Sequence, residues 1–387
     1  MRSPRLRVVV VSNLWPSERR PAWGSFVANR VDALLRLGHD VTVVAVEDHP
    51  SAPLRYASLL AGVARSALSG VRDSADTIVE AHIAYPTGAF AWPLAARLRA
   101  PLVLFAHGSD VLRLPDRSRV DRALCRSVFD RAALVVANSR YLVAEVEDRL
   151  GVPPERVTLV SPGIRYADFA AARNDSEGAG DRPYAVLFVA NLIPRKGLDV
   201  LIRAVAELAR RGEEVPRLRV VGDGPERAVL ELLASELGVA LDFVGALPQD
   251  AVTREMAAAE VLVVPSREEA LGLAPLEAMA AGCVPVVSGI GGLAESVTDG
   301  VNGFTCPPED PAELASALSR ARAAVRDPAR RAALVAAGDE TARQHDVDAA
   351  AARTVERYTA LLGSGRSGAS DRSGQSGHTD GGSVAAC

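Results

Sequence analysis

Short apolar, β-branched runs alternate with amphipathic stretches along most of this chain. In the first half the runs fall at residues 7–12, 41–46, 77–81, 102–105, 134–137 and 158–160. In the second they fall near residues 185–190, 218–221, 241–244, 261–264 and 284–287. Strands separated by helices require crossover connections, so the pattern predicts an α/β protein with parallel, doubly wound sheets. The helix expected over residues 25–37 carries Phe26, Val27, Val31, Leu34 and Leu35 on one side and Gly38 just past its end. Ser139 is placed to cap a helix running to Leu150. Residues 173–183 are small, polar and glycine-containing, and predict a linker between domains at residues 1–172 and 184–340. The Gly/Ser-rich stretch 363–387 predicts a disordered tail after a helical segment at 341–362.

Residues 263–287 carry the strongest chemical signal. Two apolar runs flank a loop and a short helix, expected over residues 275–281 with Pro275 at its first position and Gly282 past its end. Gly272, Leu273 and Ala274 lead into that helix, and the N–H groups of its first turn suit a phosphate or diphosphate. Glu269 lies before this helix end and Glu277 inside it. Carboxylates do not serve phosphate, but they accept hydrogen bonds from sugar hydroxyls. A diphosphate with a glutamate on each side is what a nucleotide-sugar requires, one for the hexose and one for the ribose. Other chemistry-bearing stretches also fall at strand ends: GSF at 24–26, HGSD at 107–110 and PRKG at 194–197. Ligands of open parallel sheets sit at those carboxyl ends.

Composition narrows the classes. The 387 residues suggest two domains. A formal net charge of −4 argues against bulk nucleic-acid binding. The cysteines at 125, 283, 306 and 387 and the six histidines show no metal-ligand spacing. A reducing, cytoplasmic setting is the expectation, with no signal peptide and no membrane span. The apolar stretch 54–69, with Arg55 and Arg65, and a helix face bearing Arg119, Arg122 and Arg126 suit either core packing or peripheral contact at the inner face of a plasma membrane. Gly289, Gly291 and Ala294 match a dinucleotide fingerprint, but the acidic residue expected after the next strand is missing.

The spacing of Glu269 and Glu277, with seven residues between them, resembles the E-x7-E region of family 4 retaining glycosyltransferases. The resemblance extends over roughly residues 7–360 through the ordered set GSF, HGSD, NS (138–139), SPG (161–163), PRKG, VGDGP (221–225), FVG (243–245), GGLAE (291–295) and DGVNG (299–303). It implies a GT-B fold, in which two Rossmann-like domains face a cleft and the final helix crosses back onto the first. It implies transfer of a hexose from a UDP- or GDP-sugar to a glycan, lipid-linked or small-molecule acceptor, with polysaccharide biosynthesis as the expected setting. Lys196 matches the diphosphate-binding lysine, and Arg195 either shares that work or is a solvated cation. Ala190 and Asn191 stand where the family commonly has Gly-Arg, which leaves Asn191 among the donor contacts and puts a second cation in doubt. The resemblance sets His107 against the donor sugar. Gly24 is either a close-approach glycine or a turn glycine, and Asp110 orients its loop or meets acceptor. With Lys196 and helix ends serving the diphosphate, no metal or other cofactor is expected. Two other functions fit the same residues: a nucleotide-sugar epimerase of similar fold and a non-catalytic nucleotide-sugar-binding protein.

Overall fold

The computed structural model describes residues 5–18, 20, 23–46, 51–68, 76–177 and 184–373. Among the described residues, twelve strands form two six-stranded sheets. The first contains β1 (Arg7–Ser12), β2 (Asp40–Ala45), β3 (Thr77–His82), β4 (Leu102–Ala106), β5 (Leu134–Ala137) and β6 (Val157–Leu159), in the order β2-β1-β3-β4-β5-β6. The second contains β7 (Tyr184–Val189), β8 (Leu218–Val221), β9 (Leu241–Gly245), β10 (Ala259–Val264), β11 (Val284–Ser288) and β12 (Phe304–Cys306), in the order β12-β11-β10-β7-β8-β9. All ladder pairs are parallel. The protein is therefore α/β, with two doubly wound, Rossmann-like domains.

Both faces of each sheet are covered, and this explains the unbroken apolar runs. In β1, Val9 and Val11 enter one core cluster while Val8 and Val10 enter another on the opposite face. In β7, Phe188 and Leu187 divide between two clusters in the same way. β12 was not anticipated: Phe304–Cys306 is three residues long, too short for a period to register.

Three boundaries differ from expectation. The helix expected at 275–281 starts two residues earlier and spans Leu273–Ala280; Pro275 still sits in the first turn, where no N–H is needed. Residues 166–177 form a helix rather than the start of a linker, and Phe169 packs with Leu187 and Leu262 of the second sheet. The rest of the expected linker, residues 178–183, lies outside the described residues. The last helix, Val347–Ser373, runs past Gly363 into the stretch expected to be disordered; residues 374–387 of that tail lie outside the described residues.

That last helix packs on the first sheet. Val347, Ala350, Ala351, Val355 and Tyr358 are buried among Leu6, Val8, Val10 and Val31. Among the described residues, no helix is long and apolar enough to cross a membrane.

Candidate active site

A doubly wound sheet opens a crevice where its strand order reverses. In the second sheet the chain leaves β7 toward β8 and β9, then returns to β10 on the other side of β7. The loops after β7 and β10 flank that reversal. The first supplies Lys196, in the tight turn Pro194–Lys196. The second supplies Glu269. Lys196 Nζ donates to Glu269 Oε2 across the crevice, and both side chains are only partly buried.

Two devices hold these loops together. Gly197 has φ +71°, and a Cβ there would lie 2.0 Å from the Pro265 carbonyl oxygen, so only glycine lets the loops close. Arg267 ties the same elements. Its guanidinium donates to the Pro194 carbonyl at 2.5 Å, to Asp199 at 2.8 and 2.9 Å, and to Glu309 at 2.7 Å. Its own N–H donates to the Arg195 carbonyl at 2.8 Å.

Gly272 caps the helix Leu273–Ala280, whose start faces the same crevice. A cavity of about 240 Å³ is lined by Lys196, Glu269, Gly272, Leu273, Ala274 and Pro275 from the second domain. Phe26, His107, Asn138 and Pro162 of the first domain line it from across. Two buried polar atoms lining the cavity, Ser266 Oγ of the second domain and Asn138 Oδ1 of the first, have no hydrogen-bond partner among the described residues. Buried polar groups are normally satisfied, so both point to a polar ligand.

Of the residues singled out in sequence, the structure thus brings Lys196, Glu269, His107, Gly272, Leu273 and Ala274 to one cavity. The others stand apart from that lining. Arg195 Nη1 lies 3.9 Å from Glu268 and is not among the residues that line the cavity. Asn191 is exposed in the turn after β7. Gly24, at φ +75°, lets its loop close onto the Leu14–Trp15 backbone, where a Cβ would sit 2.6 Å from the Leu14 carbonyl carbon. It thereby starts the helix Ser25–Arg36, whose Phe26 ring lies 4.7 Å from His107. Glu277 sits one turn along the helix Leu273–Ala280, where Gln249 Nε2 donates to it at 3.4 Å. Burial pushes its pKa up to about 7, against the weaker opposing pull of Gln249 and Arg165.

Asp110 is fully buried and accepts from the backbone N–H groups of Ala84 (2.7 Å), His107 (3.1 Å) and Gly108 (3.0 Å). Its contacts are those of a loop-orienting residue. Burial raises its pKa, and those same N–H groups oppose the rise. His107 Nε2 lies 3.2 Å from His82 Nδ1. Burial lowers the His107 pKa well below the usual imidazole value, and the neighbouring His82 and Arg30 lower it further.

Sequence reading passed over Phe26 as a site residue, together with Ser266 and the buried set Arg30, Glu80, His82 and Tyr358. Glu80 and His82 gave a signal of their own, a carboxylate and an imidazole inside the apolar strand TIVEAH. Gly291 of the dinucleotide-like match has a packing role: a Cβ there would meet the Glu269 carbonyl oxygen at 2.2 Å, and the helix that follows is only Leu293–Ser296. Among the described residues, no group of three or more His, Cys, Asp or Glu side chains is arranged to hold a metal ion.

Two Rossmann-like domains with their strand-end loops turned to one crevice define the GT-B class of transferases. Residues 24–167 match the family described as Glycosyltransferase Family 4, and residues 171–340 match Glycosyl transferases group 1. The chain is 33% identical over 337 residues to a D-inositol 3-phosphate glycosyltransferase of Thermobispora bispora, covering 81% of this chain and 77% of the relative. It is 36% identical over 265 residues to a GDP-mannose-dependent alpha-(1-6)-phosphatidylinositol monomannoside mannosyltransferase of Mycolicibacterium smegmatis, covering 64% of this chain and 66% of the relative. Its fold is similar to that of Anabaena HepE, solved in complex with UDP and glucose, with a TM-score of 0.70, 20% identity, and coverage of 92% of this chain and 100% of that one. The chain belongs to glycosyltransferase family 4, with the GT-B fold, and it is a glycosyltransferase.

Proposed function

We propose that this enzyme transfers a hexose from a UDP- or GDP-sugar with retention of anomeric configuration, and without a metal ion. One observation carries the reading: Lys196, Glu269 and the start of the helix Leu273–Ala280 share one cavity wall at the reversal of the second sheet, opposite His107. The GDP-mannose dependence in the mannosyltransferase's name and the UDP and glucose bound to HepE support a nucleotide-sugar donor.

The chemistry follows from charge development. As the anomeric bond breaks, negative charge grows on the departing diphosphate. Fixed cations and N–H donors aimed there supply the largest catalytic contribution. Lys196 and the Leu273 and Ala274 N–H groups serve that oxygen set. Lys196 turns from Glu269 to the diphosphate, and Glu269 is released to accept from hexose hydroxyls. Glu277, one turn further along, accepts from the ribose. Both glutamates belong to one loop–helix unit, unlike the flanking pair of a glycosidase. The acceptor therefore enters on the face the diphosphate leaves, and a leaving phosphate oxygen takes its proton. Acceptor classes consistent with the relatives' names are an inositol phosphate and a phosphoinositide glycan; a surface-polysaccharide acceptor fits the same architecture.

A thermal-shift screen with UDP, GDP and ADP tests the reading. A ligand at 100 times its Kd stabilises the folded state by about 2.7 kcal/mol. The expected result is stabilisation by one nucleotide in the wild type and a smaller shift in Lys196→Ala. No shift with any nucleotide at millimolar concentration would contradict the donor assignment.

A further inference from the structure

Behind His107 the first domain holds a chain of buried polar groups that reaches the last helix. Glu80, fully buried in β3, accepts from Arg30 Nε at 3.0 Å and Nη2 at 2.8 Å, and from the Tyr358 hydroxyl at 2.7 Å. Its Oε2 also lies 3.2 Å from His82 Nε2. His82 is itself 1% exposed and stacks on Phe105 at 4.4 Å. Its Nδ1 meets His107 Nε2 at 3.2 Å. The Nδ1 of His107 has no partner among the described residues, and His107 lines the cavity.

Donor and acceptor roles along this chain follow from the charge of Glu80 and neutral imidazoles. Glu80 is ionised: burial raises its pKa, but Arg30 and His82 outweigh that and hold it well below the usual carboxylate range. An ionised carboxylate only accepts. Burial lowers the pKa of both imidazoles, for His82 against the opposing pull of Glu80, and so favours their neutral forms at pH 7. His82 Nε2 must then carry the proton that bonds Glu80, which leaves His82 Nδ1 as an acceptor. His107 must donate to that acceptor from Nε2. The other ring nitrogen of a histidine is set by the partner of the first.

We propose that Glu80 and His82 are positioning residues that hold His107 in its Nε2–H tautomer, so that its Nδ1 is an acceptor for a hydroxyl of the donor sugar. The proposal rests on the donor-side reading of His107. It makes His107 blind to groups that only accept, and it ties the cleft to the last helix, because Arg30 also donates to Tyr358 at 3.1 Å and Thr354 at 3.3 Å. Arg30 fixes the carboxylate, the carboxylate fixes His82, and His82 fixes His107.

Histidine-selective ¹⁵N spectra of the full chain at pH 7 read the tautomer with no substrate present. Signals are assigned by their loss in His107→Gln and His82→Phe. The expected result is that His82 and His107 are both protonated on Nε2 alone. In His82→Phe, which leaves the Arg30–Glu80 pair and the Tyr358 bond in place, His107 is expected to populate the Nδ1–H form. With UDP-glucose or GDP-mannose as donor, kcat should then fall about 10-fold with donor KM changed far less, the scale on which orienting partners of a functional histidine act. A His107 proton on Nδ1 in the wild type overturns the proposal, and this spectrum decides it even if the variant does not fold. An unchanged Nε2–H tautomer in a folded His82→Phe also overturns it. The expected tautomers with no turnover of either sugar nucleotide would instead count against the donor assignment and leave the positioning role standing.

Discussion

The two walls of the cleft are built on different principles. On the second-domain wall, Lys196 and Glu269 are 21% and 17% exposed and paired to each other, on loops outside the strands. On the first-domain wall, His107 is backed by Arg30 and Glu80, 5% and 0% exposed, buried where the helix Ser25–Arg36 and the last helix meet the sheet. Coulomb interactions strengthen as water is excluded. The partly solvated pair is consequently the weaker and, on the proposed function, exchanges for a diphosphate, while the buried one is strong and costly to break. One wall adapts to ligand and the other holds geometry. The contrast also recurs within a single interface: the last helix meets the helix Ser25–Arg36 through buried Arg30 and again through Arg36, whose Nη2 lies 2.6 Å from the exposed Asp348.

Breaking the buried pair should have the largest effect. Arg30→Met leaves Glu80 as an uncompensated buried charge and is expected to cost about 3–5 kcal/mol in denaturant unfolding at neutral pH. Its pH dependence is diagnostic. In the wild type the folded pKa of Glu80 is depressed, so its contribution is present above the ordinary glutamate value of 4.5 and is lost as pH falls through the folded value. In Arg30→Met the sign reverses, and the deficit shrinks as pH falls and Glu80 takes up a proton. A deficit below about 1 kcal/mol at every pH would refute the distinction between the walls.

On the adaptable wall the expected effect is smaller and appears in binding. Glu277 has a pKa near 7 because of burial. On the proposed function ribose hydroxyls donate to its ionised form, so binding would lower that pKa and release a proton. Affinity for UDP- or GDP-sugar should therefore rise about 10-fold from pH 6 to pH 8 and then level off. Calorimetry in two buffers measures both the affinity and the proton. The nucleotide-sugar diphosphate does not titrate in this range, and Glu277→Gln should abolish the slope. An equal slope in that variant would remove Glu277 from the ribose site. The smallest effect is reserved for Arg36→Ala, expected to cost under about 1 kcal/mol because both partners are solvated. A loss equal to that of Arg30→Met would show that exposure does not sort these pairs.

The architecture was legible because strands covered on both faces leave uninterrupted apolar runs, such as VVVV at 8–11 and VLVV at 261–264. The donor wall was legible because its parts are local. Lys196, Glu269 and the Gly272–Leu273–Ala274 helix start each follow a strand and have their own punctuation in glycine and proline. The opposite wall is assembled from Arg30, Glu80, His82, His107 and Tyr358, as many as 328 positions apart between Arg30 and Tyr358. No period or spacing links such residues; only the fold does. Glu80 and His82 were visible as polar intruders in β3, but their partners were not. The placing of Arg195 was not legible for a related reason. It has the right charge next to Lys196, and whether it lines the cavity or reaches Glu268 depends on one tight turn.

The central claim is that Lys196 stabilises a departing diphosphate, and its most direct test is donor turnover by Lys196→Ala. Consumption of UDP-glucose or GDP-mannose would be followed in the wild type and the variant, beside their melting curves. The prediction is a kcat lower by about 10²–10³ with a melting temperature close to wild type, since the Lys196–Glu269 pair is partly solvated. Wild-type turnover in a folded Lys196→Ala protein would contradict it.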